Sequence, residues 1–203
     1  MTLYEFDAQA NAAKYKTLAG VDEAGRGPLA GPVVAAAVIL RGKDRIDGLN
    51  DSKKLSPAKR EKLFTQIMDS PALVGVGIES PETVDTINIL QASLLAMLRA
   101  VEALGEAPGL VLIDGNQLIK WSGVQKAVVK GDTLSASIAA ASIIAKVTRD
   151  KIMAELAVKY PEYGFERHKG YGSVAHREAI AKHGPCPVHR KTFKGVREYI
   201  NAK

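Results

Sequence analysis

The apolar positions fall in short runs separated by glycine, proline and capping residues. One run ends at Val21, a Gly/Pro-rich turn covers Gly25 to Pro32, and Val33 to Leu40 reads as a buried Ala/Val-rich strand. Ser56-Pro57 is a helix start, with an N-cap and then proline at the first helical position. Leu63, Phe64, Ile67 and Met68 supply the apolar stripe of a helix to about Asp69. Val74, Val76 and Ile78 alternate as in a third strand. Ser80-Pro81 repeats the start signal for a long helix reaching Leu104, with Gly105 as its stop. Leu110 to Ile113 and Val124 to Val129 read as short buried strands. The segment from Leu134 to Tyr160 is helical and Ala-rich in its first half, where Ala136, Ala139, Ala140 and Ala141 permit close approach to a sheet, and Pro161 ends it. Helices near Ser173 to His183 and Val196 to Ile200 complete the pattern. Three successive strands followed by helix and strand alternation predict an α/β fold, a mixed sheet with helices on its faces.

With 203 residues, 46% of them hydrophobic, the chain suits one well-buried domain, 1–203, and is short for two independent ones. The net charge of +6 and pI near 9.3 are concentrated from Arg167 to Lys203. That is the footprint of a polyanion binder, and also a balance found in ordinary mildly basic domains. A single cysteine, Cys186, excludes a disulfide framework and a multi-cysteine zinc site, and points to a reducing, cytoplasmic setting. Met1 to Lys16 carries Glu5 and Asp7 and no long apolar core, so it reads as neither signal nor anchor. No apolar run elsewhere reads as a span, and no membrane partner is expected.

The chemistry concentrates where apolar strands stop. Asp22 and Glu23 follow Leu18 to Val21, Asp114 follows Val111 to Ile113, and Asp132 follows Val128-Val129 by two residues. Strands gathered in one sheet bring such ends together, and clustered carboxylates repel one another unless a hard cation neutralises them. An all-oxygen site suits Mg²⁺ or Mn²⁺. Each acid alone also reads as a turn residue or cap, and Asp132 in particular could cap the helix that begins near Leu134.

Gly25-Arg26-Gly27-Pro28-Leu29-Ala30-Gly31 has the spacing G-x-G-x-x-x-G and is followed by a strand, so it is not a dinucleotide fingerprint. No phosphate-loop motif occurs elsewhere. Glycines flanking Arg26 let backbone approach a ligand while the guanidinium meets a phosphate; a tight hairpin is the alternative.

The segment Ala19-Gly20-Val21-Asp22-Glu23-Ala24-Gly25-Arg26-Gly27-Pro28 closely resembles the signature of bacterial ribonuclease HII. Asp51-Ser52-Lys53-Lys54, Ile113-Asp114-Gly115, Lys130-Gly131-Asp132, Ala140 to Asp150 and His168-Lys169-Gly170-Tyr171 are similar to its later motifs in the same order. The resemblance runs from about Leu18 to Arg190. It implies a ribonuclease H-like fold, a mixed five-stranded sheet flanked by helices, with a small helical C-terminal part at roughly 172–203 that binds substrate. It implies that Asp22, Glu23, Asp114 and Asp132 hold two Mg²⁺ or Mn²⁺ ions. It also implies that Gly25, Arg26 and Gly27 contact the ribose 2′-hydroxyl, that Tyr171 packs on the sugar, and that Lys53 lies near the substrate.

The substrates so implied are RNA–DNA hybrids and DNA duplexes containing ribonucleotides, with a monomer expected and clamp-dependent recruitment not expected. A type HIII enzyme is disfavoured because no extra domain fits before Leu18. Asp150 reads as a partner of Lys146 one turn earlier, and Ser142 as a packing residue in an Ala-rich helix. His168, His176, His183 and His189 lack metal spacing and read as phosphate neighbours or surface. Two rivals stay open at this point: another two-metal phosphotransferase acting on DNA alone, and a hybrid binder without catalysis.

Overall fold

The computed structural model describes residues 1–11, 15–41 and 45–200. In chain order the elements are α1 (Leu3–Asn11), β1 (Leu18–Ala24), β2 (Val33–Ile39), α2 (Pro57–Met68), β3 (Leu73–Glu79), α3 (Pro81–Glu102), β4 (Leu110–Asp114), β5 (Gln125–Val128), α4 (Ala136–Lys159), α5 (Phe165–His168) and α6 (Val174–His183). The strands form one mixed sheet in the order β3-β2-β1-β4-β5. The pairs β1–β2 and β2–β3 are antiparallel, and β1–β4 and β4–β5 are parallel.

Helix starts fall where the capping serines stand. Ser56, Ser80, Ser135 and Ser173 each accept a hydrogen bond from the backbone N–H three residues on. Helix α1 was not predicted, although its signal is present. Thr2 and Glu5 form a reciprocal capping box, Glu5 N–H to Thr2 Oγ1 at 3.2 Å and Thr2 N–H to Glu5 Oε2 at 2.7 Å. Asp7 of this helix then accepts from the N–H and hydroxyl of Ser137, both at 2.8 Å, tying it to the first turn of α4.

Helix α3 packs on one face of the sheet against Ala19, Val21, Ala35, Ala37 and Val111, while α2 and α4 cover Ala36 and Val38 on the other. Burial of α4 against the sheet is made possible by Gly20. A Cβ there would lie 2.1 Å from Ser137 C and 2.2 Å from Ile138 N, inside the backbone of the helix. A further apolar cluster joins Leu29 and Ala30 of the β1–β2 connection to Met153 of α4 and to Phe165, Ile180, Cys186 and Val196 of the C-terminal part.

Several sequence expectations shift. Strand β1 continues through Asp22 and Glu23, because antiparallel pairing with β2 goes on after its parallel pairing with β4 stops at Val21. Strand β5 lies at the sheet edge, which leaves Val124 and Val129 exposed rather than buried. Met68 and Ile78 are also exposed. The last predicted helix is a 3-10 turn over Arg197–Tyr199.

Among the described residues, α3 alone is long and apolar enough to cross a membrane by length and composition, a feature the sequence reading missed. Here it lies on the sheet with Val84, Ala92, Ala96 and Ala100 buried. It is broken at Asn88, where φ is 65° and ψ 165°. The Asn88 Oδ1 accepts from Leu90 N and Gln91 N, so this residue caps the second half.

Candidate active site

The register of the parallel strands decides where the carboxylates stand. Val21 pairs with Ile113 and Asp114 with Val128, so Asp22 and Asp114 are the next residues outward on neighbouring strands. Side chains alternate across a sheet, and Asp22 and Asp114 therefore leave on the face of Gly20 and Leu112, toward α4, while Glu23 leaves on the other. The connection after β5 is pinned to β4 by a 2.7 Å bond from Gly131 N–H to Asp114 Oδ1, which brings Asp132 to the same end. Helix α4 is capped by Ser135, so Asp132 is not its cap.

The charges of these groups meet at Lys53. Its burial lowers the ammonium's affinity for a proton, yet Asp22, Asp51, Asp132 and Asp114 together outweigh that and raise it. Asp22 is held well above the usual carboxylate range, first by burial and then by Glu23 and Asp114. Burial also raises Glu23, with Arg26 opposing and Asp114 adding to it. Asp132 is raised by burial, then by Asp114 and Asp51. Burial is the largest cause at all three groups, and repulsion between neighbouring carboxylates adds to it. Among the described residues no three acidic, histidine or cysteine side chains close on a common point. Lys53 is the cation on which Asp22, Asp51, Asp114 and Asp132 act together.

A cleft of about 260 Å³ is lined by Glu23, Gly25, Arg26, Gly27, Lys53 and Tyr171, together with Ser52, Ser142 and Arg149. All the predicted substrate-binding residues therefore share one cavity, and Glu23 and Lys53 join it to the acids. Arg26 bonds Glu23 at 3.4 Å, and Tyr171 Cε1 stands 3.6 Å from where a Cβ on Gly27 would be. A larger cavity, about 710 Å³, opens at the opposite end of β1 among Tyr4, Asp7, Arg41 and Arg45 and contains none of these residues.

Ser142 does more than fill space, since its hydroxyl bonds Ser52 Oγ at 2.8 Å and fixes the turn that presents Lys53. The predicted Lys146–Asp150 pair is present at 2.7 Å. Asp51 escaped the sequence reading although it stands in a quoted motif; it accepts from Lys53 N–H at 2.9 Å.

The histidines require a correction. His176 and His189 are buried, neither phosphate neighbours nor surface. Their Nε2 atoms lie 3.0 Å apart, His176 Nδ1 is 2.9 Å from the Tyr171 carbonyl, and His189 Nδ1 accepts from Cys186 N–H at 3.0 Å. One tautomer of each ring satisfies these three contacts together. The His176 Nδ1–H donates to Tyr171, the His189 Nε2–H donates to His176, and His189 Nδ1 accepts from Cys186. Sequence reasoning had no signal for this, because the pair is made by tertiary contact alone.

Both rings are kept neutral, pushed down to about 4 chiefly by burial. Below the ordinary value of 6.5 the unfolded chain therefore binds more protons than the folded one. Their contribution to stability is complete above that value and is lost as pH falls toward about 4. Melting temperature should drop more steeply from pH 6.5 to 5 in the wild type than in His189→Gln; equal slopes would sink this assignment.

A mixed five-stranded sheet with acids at one end, backed by helices on both faces, is the fold of the ribonuclease H class of nucleases. The ribonuclease H2 of Pyrococcus horikoshii OT3 superposes with a TM-score of 0.75 at 31% identity, covering 90% of this chain and 96% of its own. The ribonuclease HII of Archaeoglobus fulgidus, solved as a complex with PCNA, gives 0.75 at 30% identity over 88% and 95%. The family model for ribonuclease HII matches residues 19–196, and a ribonuclease HII from Geotalea uraniireducens is 55% identical over 100% of this chain and 94% of that protein. The chain belongs to the ribonuclease HII family, and it is an endoribonuclease of the ribonuclease H type acting on RNA–DNA hybrids.

Proposed function

We propose that this enzyme also cuts on the 5′ side of single ribonucleotides embedded in duplex DNA, leaving 3′-hydroxyl and 5′-phosphate ends, and so removes ribonucleotides from DNA. The observation that carries the reading is the junction of two features: carboxylates brought to one end of the sheet by strand register and the Gly131–Asp114 bond, and a cleft holding Glu23, Gly25, Arg26, Gly27, Lys53 and Tyr171. An all-oxygen donor set fits hard divalent cations.

Asp22, Glu23, Asp114 and Asp132 would hold two Mg²⁺ or Mn²⁺ ions. Ions held there would supply the activation of a water and the stabilisation of a leaving 3′ oxygen in an in-line displacement. The protein's own groups do the rest. Lys53 and Arg26 meet phosphate oxygens, the backbone of Gly25 to Gly27 meets the 2′-hydroxyl that distinguishes a ribonucleotide, and the ring of Tyr171 lies on the adjoining sugar. Basic residues of the 172–203 segment, among them Arg177, Lys182, Lys191 and Lys194, support a sequence-independent grip on the duplex backbone. We place the enzyme in the cytoplasm, acting as a monomer without a membrane.

The test is a labelled DNA duplex carrying one ribonucleotide, beside an RNA–DNA hybrid and an all-DNA duplex, with each metal and with chelator. Cleavage of the first two only, and only with metal, is expected; equal cutting of all-DNA would turn the reading toward a DNA nuclease. Tyr171 is exposed, so Tyr171→Ala should fold normally. Loss of one aromatic stack should slow cutting at a single ribonucleotide by roughly ten- to a hundredfold. An unchanged single-turnover rate would remove Tyr171 from the site.

A further inference from the structure

We infer that Arg190 is a positioning residue for ribose recognition: its buried guanidinium turns the carbonyls of the Gly25–Gly31 segment inward and thereby presents the N–H groups of Arg26 and Gly27 to the cleft. This rests on the proposed reading of that segment as the 2′-hydroxyl contact and adds the group that shapes it.

Arg190 is fully buried, and among the described residues no carboxylate forms an ion pair with it. Its donors go to backbone instead. Nη2 bonds the Gly25 carbonyl at 2.6 Å and Gly31 at 3.0 Å, Nη1 bonds Arg26 at 3.0 Å and Pro28 at 2.8 Å, and Nε bonds Gly31 at 3.1 Å. The backbone N–H of Arg190 donates to the Leu29 carbonyl at 2.9 Å. Arg149, also buried, donates to Ala30, Pro32 and Lys169 in the same way.

The consequence follows from peptide geometry. Every peptide bond described is trans, so a carbonyl and the N–H of the next residue point in opposite directions. With the Gly25 and Arg26 carbonyls drawn to Arg190, the N–H groups of Arg26 and Gly27 face away from it. Neither donates to another group among the described residues. Arg26 and Gly27 both line the cleft with Tyr171, so these two donors lie at its border.

A lysine could not substitute, because it offers three donors from one point where the guanidinium spreads five across a plane. Burial, and after it Arg149, lower Arg190 to about 9, which leaves it protonated at neutral pH. The chain beyond it is clipped by Asp85, which accepts from Lys191 N–H at 2.8 Å and Thr192 N–H at 2.9 Å.

The experiment compares wild type with Arg190→Lys, measuring binding in chelator to a duplex with one ribonucleotide and to its all-DNA counterpart. Wild type should prefer the ribonucleotide duplex, and Arg190→Lys should bring that ratio close to one and lower kcat/KM at the ribonucleotide by about ten- to a hundredfold. General destabilisation lowers both affinities together and leaves the ratio, so a folded Arg190→Lys that keeps the wild-type preference overturns the inference. Where Arg190→Lys fails to fold, the wild-type amide resonances decide. Arg26 and Gly27 should shift with the ribonucleotide duplex and not with DNA, and equal or absent shifts overturn the inference. A wild type that does not cut at the ribonucleotide defeats the underlying reading instead.

Discussion

Asp132→Asn and Asp22→Asn are each expected to abolish detectable turnover on a ribonucleotide-containing duplex while binding it as tightly as the wild type or more so. Removing even the outer partner of a metal ligand costs about ten- to a hundredfold in activity, so losing a ligand's charge should cost at least that. Duplex affinity comes from the basic surface, and subtracting a negative charge beside the scissile phosphate does not weaken it. Asp22→Asn should also melt higher than the wild type in chelator. Burial, Glu23 and Asp114 raise Asp22 in the folded state, so its ionised form works against folding at neutral pH. Asparagine keeps an oxygen to accept the 2.7 Å bond from Glu23 N–H. Wild-type turnover in either variant would remove that residue from the catalytic set.

The second large effect is structural. Gly20→Ala would thrust a methyl group to 2.1 Å from Ser137 C and 2.5 Å from Ser137 O, into helix backbone that no side-chain rotation can relieve. Helix α4 must then retreat from β1, at a cost of about 3 kcal/mol, the upper range for overpacking. For a domain of this size that is a fall of roughly 10 °C in Tm. Activity should fall with it, because α4 carries Ser142, whose bond to Ser52 sets Lys53, and because the turn bearing Asp132 leads directly into it. A variant melting within a degree of wild type would show that the helix and strand are not held at this contact.

How much of this was legible beforehand depended on how local the cause is. The starts of α2 and α3 were legible in Ser-Pro pairs, because capping is settled within four residues, while the cap of α4 proved to be Ser135 and not Asp132. The four acids stood out because apolar runs stop at them, although β1 extends three residues further than periodicity indicated once antiparallel pairing with β2 is counted. His176 and His189 misled, and Arg190 went unassigned, for the opposite reason. In a stretch of His, Arg and Lys they have the composition of a basic surface.

By itself, then, the order of residues determined the helix caps, the acids and glycines available for chemistry, and the family likeness that ties them to nucleic acid, since each depends on neighbouring residues or a contiguous motif. Only the folded arrangement decided that Asp22 and Asp114 lie on adjacent parallel strands, and that two histidines pair beneath Tyr171. It likewise decided that the guanidinium of residue 190 reaches the carbonyl of Gly25 across 165 positions. Those outcomes hang on strand register and on side chains meeting from distant segments, where a residue's environment is set by what folding brings to it.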